Sequence, residues 1–398
     1  MKDLFFKYYF WVVFFIAIPI ITYILYPGTD AIPNVIKITL IFIMYHKMKN
    51  RGLIADNIKI GKLYLFIFVI IFGIIHSLLT CPMNHINIAL LVLDNISWLT
   101  ALIIFMVKDI ASIGRFVKAY ILILIPTAIV SGFYWDGFFQ FDVPHILTLF
   151  ALCLLISPFF SIRIQLIIIC SLLAGIIYDY SVRSCLLTAL VTFSLYLLYR
   201  LCPSNLFKKI AIVSRHFFLM APFIFLILGV TQTFNIFADF ESMDMSNISL
   251  SNGRKAESHT FNVDSRTMVY ADVVKSIQNP YDLLVGQGSV INLESEWTET
   301  RHSVEAGILN IFLRYGLIGC FVFFYLAWHF SRVGIKETNN MLTVLAGLYI
   351  AYKFLLSFMD DANIDPSVYI AIGICINPYI RNLTDKDIEF RLKKVKVV

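Results

Sequence analysis

The chain has 398 residues, 59% of them hydrophobic and 15% charged, with a mean hydropathy of +0.80. A surface facing water needs nearer a quarter charged residues, so this composition excludes an ordinary soluble enzyme and makes lipid the main solvent. The net charge of +6 matters by its distribution more than by its sum, and it is no sign of a nucleic-acid partner.

Lys2 and Lys7 precede an apolar run from Tyr9 to Tyr26 that has the look of a signal peptide. Pro27-Gly28-Thr29 is not a small-x-small cleavage site, however, and further spans follow, so an uncleaved first helix is expected. Apolar runs of spanning length then predict helices at roughly 33-46, 63-79, 86-107, 116-133, 143-159, 162-178, 184-201 and 216-232, and again at 317-333, 340-358 and 365-380. Lys47, Lys49 and Arg51, then Lys108, Arg115 and Lys118, then Arg163, then Arg200, Lys208, Lys209 and Arg215, and later Arg332 and Lys336 fall in alternate loops. Loops rich in Lys and Arg stay cytoplasmic, which predicts about twelve spans with both termini inside. The predicted fold class is an all-α polytopic membrane protein. Its parts are an N-terminal bundle of about nine helices (1-232), one large periplasmic loop (233-316), about three C-terminal helices (317-380) and a basic tail (381-398) expected to touch anionic headgroups.

Ionisable residues inside apolar runs are functional candidates by default. Lys37 is close enough to a helix end to reach the interface, and Lys353 stands about two turns from Asp360 and Asp361, with which it is able to pair. Cys153, Cys170, Cys185, Cys320 and Cys375 lie in apolar runs as small hydrophobes, and none of the cysteines is in the large loop, so neither a disulfide framework nor a thiolate metal cluster is implied. Glu294, Glu296 and Glu299 read as a solvated acidic stretch, and neither metal nor cofactor is expected.

The large loop opens with an irregular segment, Glu241 to His259, rich in Ser, Asn and Asp. Asp264-Ser265 then offers a cap before Arg266, and Met268, Ala271, Val274 and Ile277 recur at helical spacing until Asn279-Pro280. Leu283-Leu284-Val285-Gly286-Gln287-Gly288 reads as a buried apolar stretch closed by a glycine turn. A second helix begins near His302, with Val304, Ile308, Leu309 and Phe312 on one stripe and Arg301, Glu305, Asn310 and Arg314 on the rest. Running one span through 302 to 330 would put Arg314 in lipid at a cost of about 2.5–3.5 kcal/mol on the insertion scale. A break between Gly316 and Gly319 is therefore expected, with an amphipathic surface helix before it and the span starting near Leu317.

This order, Ser265-Arg266, Asn279-Pro280, Gly286-Gln287-Gly288, His302 and Tyr315-Gly316-Leu317-Ile318-Gly319, resembles the C-terminal signature of the O-antigen ligase and polymerase (Wzy) superfamily. The chain departs from that pattern at Ser303, where the family often has Asn, and at Ser265, where it often has Gly. The resemblance implies a GT-C-like bundle and a metal-independent inverting glycosyltransferase that uses an undecaprenyl-diphosphate-linked glycan. A chain-length regulator and a flippase are the candidate protein partners. It makes Arg266 a diphosphate-binding residue and His302 the histidine near the acceptor hydroxyl, and it gives Arg183 the family's arginine at the outer end of an earlier helix. Arg301 and Arg314 are further candidates for the diphosphate, and the catalytic base is His302 or Glu305, which stands one turn away. Guanidinium groups suit such a ligand because they bind phosphate bidentately while staying charged. The plainer readings are an Arg183 that reaches the interface beside Asp179, and loop arginines that meet only headgroups. Two other activities fit the same outline: a ligase that hands the glycan to lipid A core, and a lipid-linked oligosaccharide flippase, although internal repeats of the kind transporters show are not evident.

Overall fold

The computed structural model describes residues 99–111, 113–114, 151–178, 183–230, 273, 275–288, 307–358 and 366–393, with isolated positions between 45 and 79. Among the described residues the regular structure is helical, with no strands. In chain order the helices are α1 (Leu99–Met106), α2 (Ile162–Tyr178), α3 (Arg183–Leu201), α4 (Ser204–Val230), α5 (Pro280–Val285), α6 (Gly307–Lys336), α7 (Met341–Leu356), α8 (Pro366–Ile376), α9 (Pro378–Arg381) and α10 (Asp385–Lys393). Of the described helices, α6 is long and apolar enough to cross a membrane, and shorter apolar helices accompany it.

The centre of the bundle is α7, in which every residue but Leu355 is buried. It packs against α4, α6 and α8, and α8 in turn packs against α1. Small residues set these approaches: a Cβ at Gly334 would meet the Thr343 carbonyl and the Cys375 sulfur, and one at Gly347 would meet the Ser331 carbonyl. Helices whose surroundings are as apolar as their cores associate through such close contacts rather than through the hydrophobic effect. The polar side chains turn inward. Gln165 donates to the Phe160 carbonyl at 2.9 Å and accepts from the Tyr196 hydroxyl at 2.8 Å and from Arg200. Tyr352 donates to Thr188 at 2.9 Å. Meanwhile Leu166, Ile167, Leu173, Leu190, Val213, Phe217 and Phe321 are exposed, an inside-out distribution that a water-soluble monomer rarely shows.

Several boundaries agree with the apolar runs. α2 and α3 match the spans expected at 162-178 and 184-201 within a residue, and α7 matches 340-358 within two. Others need correction. α4 begins at Ser204, well before the expected 216, so Lys208, Lys209 and Arg215 are helical and not loop residues. Lysine and arginine are good helix formers that hydropathy counts only as breaks. The span expected at 365-380 divides at Asn377, which caps α9 by accepting from the Tyr379 and Ile380 amides. The tail, read from its charge as a headgroup contact, also joins the core: α10 seats Ile388 and Leu392 there, with Leu392 against Gly114.

Where α6, α7 and the tail meet, side chains complete the helix ends. Asn340 accepts from the Thr343 amide at 3.0 Å and donates to the Ile380 and Leu383 carbonyls at 2.7 and 3.0 Å. Asp385 accepts from the Met341 amide at 2.7 Å. Burial pushes the Asp385 carboxyl above its usual range, opposed by that amide bond and by Lys208. This end of the α6–α7 hairpin is called the tail end below, and the other the kinked end.

Candidate functional site at the glycine crossing

At the kinked end α6 is interrupted at Gly316, whose φ of 64° and ψ of −161° are open in practice only to glycine. The break expected between Gly316 and Gly319 is therefore present at its first residue, and Arg314 lies on the last turn before it. Carbonyls next to a break in a helix need partners from elsewhere. Gln287 and Gly288 supply them, their amides donating to Leu313 at 2.6 Å and to Arg314 at 3.2 Å.

The donor strand is fixed by α5. Asn279 caps this helix by accepting from the Asp282 amide at 2.9 Å, Pro280 occupies its first turn, and Gly286 ends it at φ 86° and ψ 174°. The two glycines then cross backbone to backbone. A Cβ at Gly286 would come within 2.5 Å of Arg314 and Tyr315, and one at Gly316 would overlap the Leu284 and Val285 backbone. Gln287 ties the strand to the preceding helical segment by donating to the Ser276 carbonyl at 2.8 Å. Val273 from that segment is buried with Ile308, Leu309 and Leu313. The Ser357 carbonyl accepts from the Ile308 amide at 2.9 Å, closing the first turn of α6 onto the end of α7.

Two expectations for this region are corrected. Leu283-Leu284-Val285 lies in a short helix without a buried residue and not in a buried stretch, because the backbone crossing at the glycines holds it. Asn310, expected on the polar side of its helix, is 5% exposed and packed inward. Of the stripe read at Met268, Ala271, Val274 and Ile277, the first three lie outside the described residues; Val273, beside it, is buried.

Of the six site residues expected from sequence, Arg314 is the one described with its side chain. It is partly buried, its Nε is fully enclosed without a hydrogen-bond partner, and it forms no ion pair among the described residues. A buried donor left open costs about 1–3 kcal/mol, a cost that an arriving anion would remove. Arg183 is the first residue of α3, with its side chain outside the description, and Arg266, Arg301, His302 and Glu305 lie outside the described residues. Lys353 is buried in the last turn of α7, while Lys37, Asp360 and Asp361 are outside the description.

Sequence reading missed His76, a buried side chain whose ring lies 5.3 Å from that of Tyr315 and so borders the crossing. An ionisable residue in the apolar run 63-79 was the available signal. No protein-family model, characterised protein or solved structure matches the chain.

A second buried cation lies toward the tail end. Arg215 is 1% exposed, donating to Ser331 Oγ and to the Trp328 carbonyl, each at 2.8 Å, with its guanidinium 4.3 Å from the centre of the Trp328 ring. These neutral partners and the indole face satisfy the charge in place of a carboxylate. Among the described residues no group of three or more His, Cys, Asp or Glu side chains is placed to hold a metal ion.

Proposed function

We propose that this chain is an O-antigen repeat-unit polymerase of the bacterial inner membrane. In this reading it has about twelve spans, both termini in the cytoplasm and the segment 233-316 in the periplasm. The supporting observation is that parts of the motif separated in sequence, Asn279-Pro280, Gly286-Gln287-Gly288 and Arg314 to Gly316, interlock at one crossing beside a guanidinium with an open donor.

The reaction asks for little beyond this. An acceptor hydroxyl on a lipid-linked repeat unit attacks the anomeric carbon of the growing glycan. The bond from that carbon to the diphosphate oxygen breaks, and undecaprenyl diphosphate leaves with the electron pair. The hydroxyl proton passes to His302 or Glu305. Charge grows on the leaving diphosphate, and arginines held in place before the reaction stabilise it without reorganising. Arg314, Arg266, Arg301 and Arg183 take that role in this reading.

The test is the lipopolysaccharide ladder of a deletion strain complemented with wild type, Arg314→Ala, Arg266→Ala or His302→Ala, with each variant's level in the membrane verified. Core bearing a single repeat unit after deletion is the expected result. Each variant should lower polymer by about 10²-fold or more, the usual effect of losing one donor to a developing anion for the arginines and of losing a general base for His302. Bare core with polymer retained on its lipid carrier would make the protein the ligase instead, and full ladders from all variants would overturn the site.

A further inference from the structure

α5 is unusual among the described helices in burying none of its residues. Tyr281 and Leu284 are 59% and 50% exposed, and Leu283 is also exposed. An apolar helix of this kind, free in water, has no reason to stay ordered, since so short a segment is unstable alone. It is held by the glycine crossing, which places Leu284 and Val285 directly against Gly316. The residues that follow Gly316 on α6 are Leu317, Ile318 and, one turn on, Phe321, all of them exposed, Phe321 at 68%. α5, with its exposed apolar side chains, therefore meets at Gly316 the exposed apolar stretch that follows the kink in the helix long and apolar enough to span a membrane.

We infer that α5 is an in-plane membrane anchor whose Tyr281, Leu283 and Leu284 contact the acyl chains of bilayer lipids at the level where α6 enters. Continuity names the occupant: whatever covers Leu317, Ile318 and Phe321 extends over α5, and for a spanning helix that is lipid. The residue types agree, since Tyr favours the headgroup boundary and Leu the chains beneath it. The anchor fixes the height of Arg314 at the membrane surface, because the same crossing joins α5 to the turn that carries it. The inference rests on the membrane reading of α6 but not on the chemistry proposed above.

The experiment uses the full-length protein in nanodiscs of phosphatidylethanolamine and phosphatidylglycerol, with a photoreactive diazirine residue introduced at Leu284, at Phe321 or at the exposed Gln278, and intact-mass readout. Lipid adducts at Leu284 and Phe321, several-fold above those at Gln278, are expected. Adducts at Phe321 without adducts at Leu284 would overturn the anchor and leave the span intact. Cross-links from Leu284 into protein would do the same by showing a polypeptide cover, and so would equal adducts at Gln278 and Leu284. Absence of lipid adducts at Phe321 would remove the membrane reading and the anchor together.

Discussion

The two ends of the α6–α7 hairpin are held by different means. At the tail end, amide and carboxylate side chains complete the helix termini: Asn340 and Asn377 each bond several backbone groups, and Asp385 adds a further acceptor. At the kinked end, backbone meets backbone across two glycines, with Gln287 and Asn279 adding side-chain hydrogen bonds and Val273 packing on Ile308, Leu309 and Leu313. Side-chain caps tolerate conservative exchange because an isosteric partner restores the bond. A backbone crossing tolerates none, since any Cβ occupies the space of the other strand. The difference suits a frame at one end and a fixed backbone geometry beside the candidate site at the other.

Substitution should separate the two. Gly316→Ala is expected to be the most damaging change: a side chain in that backbone region costs about 1–3 kcal/mol, and displacement of the Leu284 backbone adds to it. Thermal unfolding of the purified protein in detergent, followed by tryptophan fluorescence, would read this as a large fall in Tm, and an unchanged Tm would break the comparison. Asn377→Ala should follow. Its side chain donates to the Ile104 and Val107 carbonyls at 2.6 and 2.8 Å and accepts two amides. Leaving such buried groups open costs about 1–3 kcal/mol, and the same assay checks it.

Asp385→Asn should have the smallest effect, and its sign depends on pH. Because the folded carboxyl titrates above its usual range, its contribution is full below the ordinary value of about 3.9 and is lost as pH rises through the raised value. Asn keeps the acceptor for Met341 without the buried charge, so Tm should rise slightly at neutral pH and be unchanged in acid. Asp387, held low by the Thr384 hydroxyl, acts in the opposite direction, and is common to both proteins. A fall in Tm at neutral pH would show that the charge itself, through Lys208, carries the cap.

Sequence reasoning succeeded where a single physical demand dominated. Apolar length alone placed α2, α3 and α7, and the cost of an arginine in lipid placed the break between Gly316 and Gly319, where Gly316 carries it. It failed where two demands met in one segment. The first half of α4 is helical yet carries Lys208, Lys209 and Arg215, so its charge read as a loop; α10 carries six charged residues yet buries Ile388 and Leu392. At the candidate site Arg314 and the glycines were legible from their spacing. The exposure of α5 was not, because what holds it is a contact between backbones that leaves no trace in residue chemistry. His76 escaped because its neighbour, Tyr315, lies far along the chain.

Arg215 bears on the order in which the chain can be built into a membrane. Its partners Trp328 and Ser331 come 113 and 116 residues later, so α4 is synthesised before the indole face, carbonyl and hydroxyl that enclose its guanidinium exist. Until α6 emerges, the first half of α4 is better placed at the interface than in lipid. In the membrane reading proposed above, insertion of α4 to its final depth then waits on α6, and the two helices enter as a pair although residues 231–306 separate them in sequence.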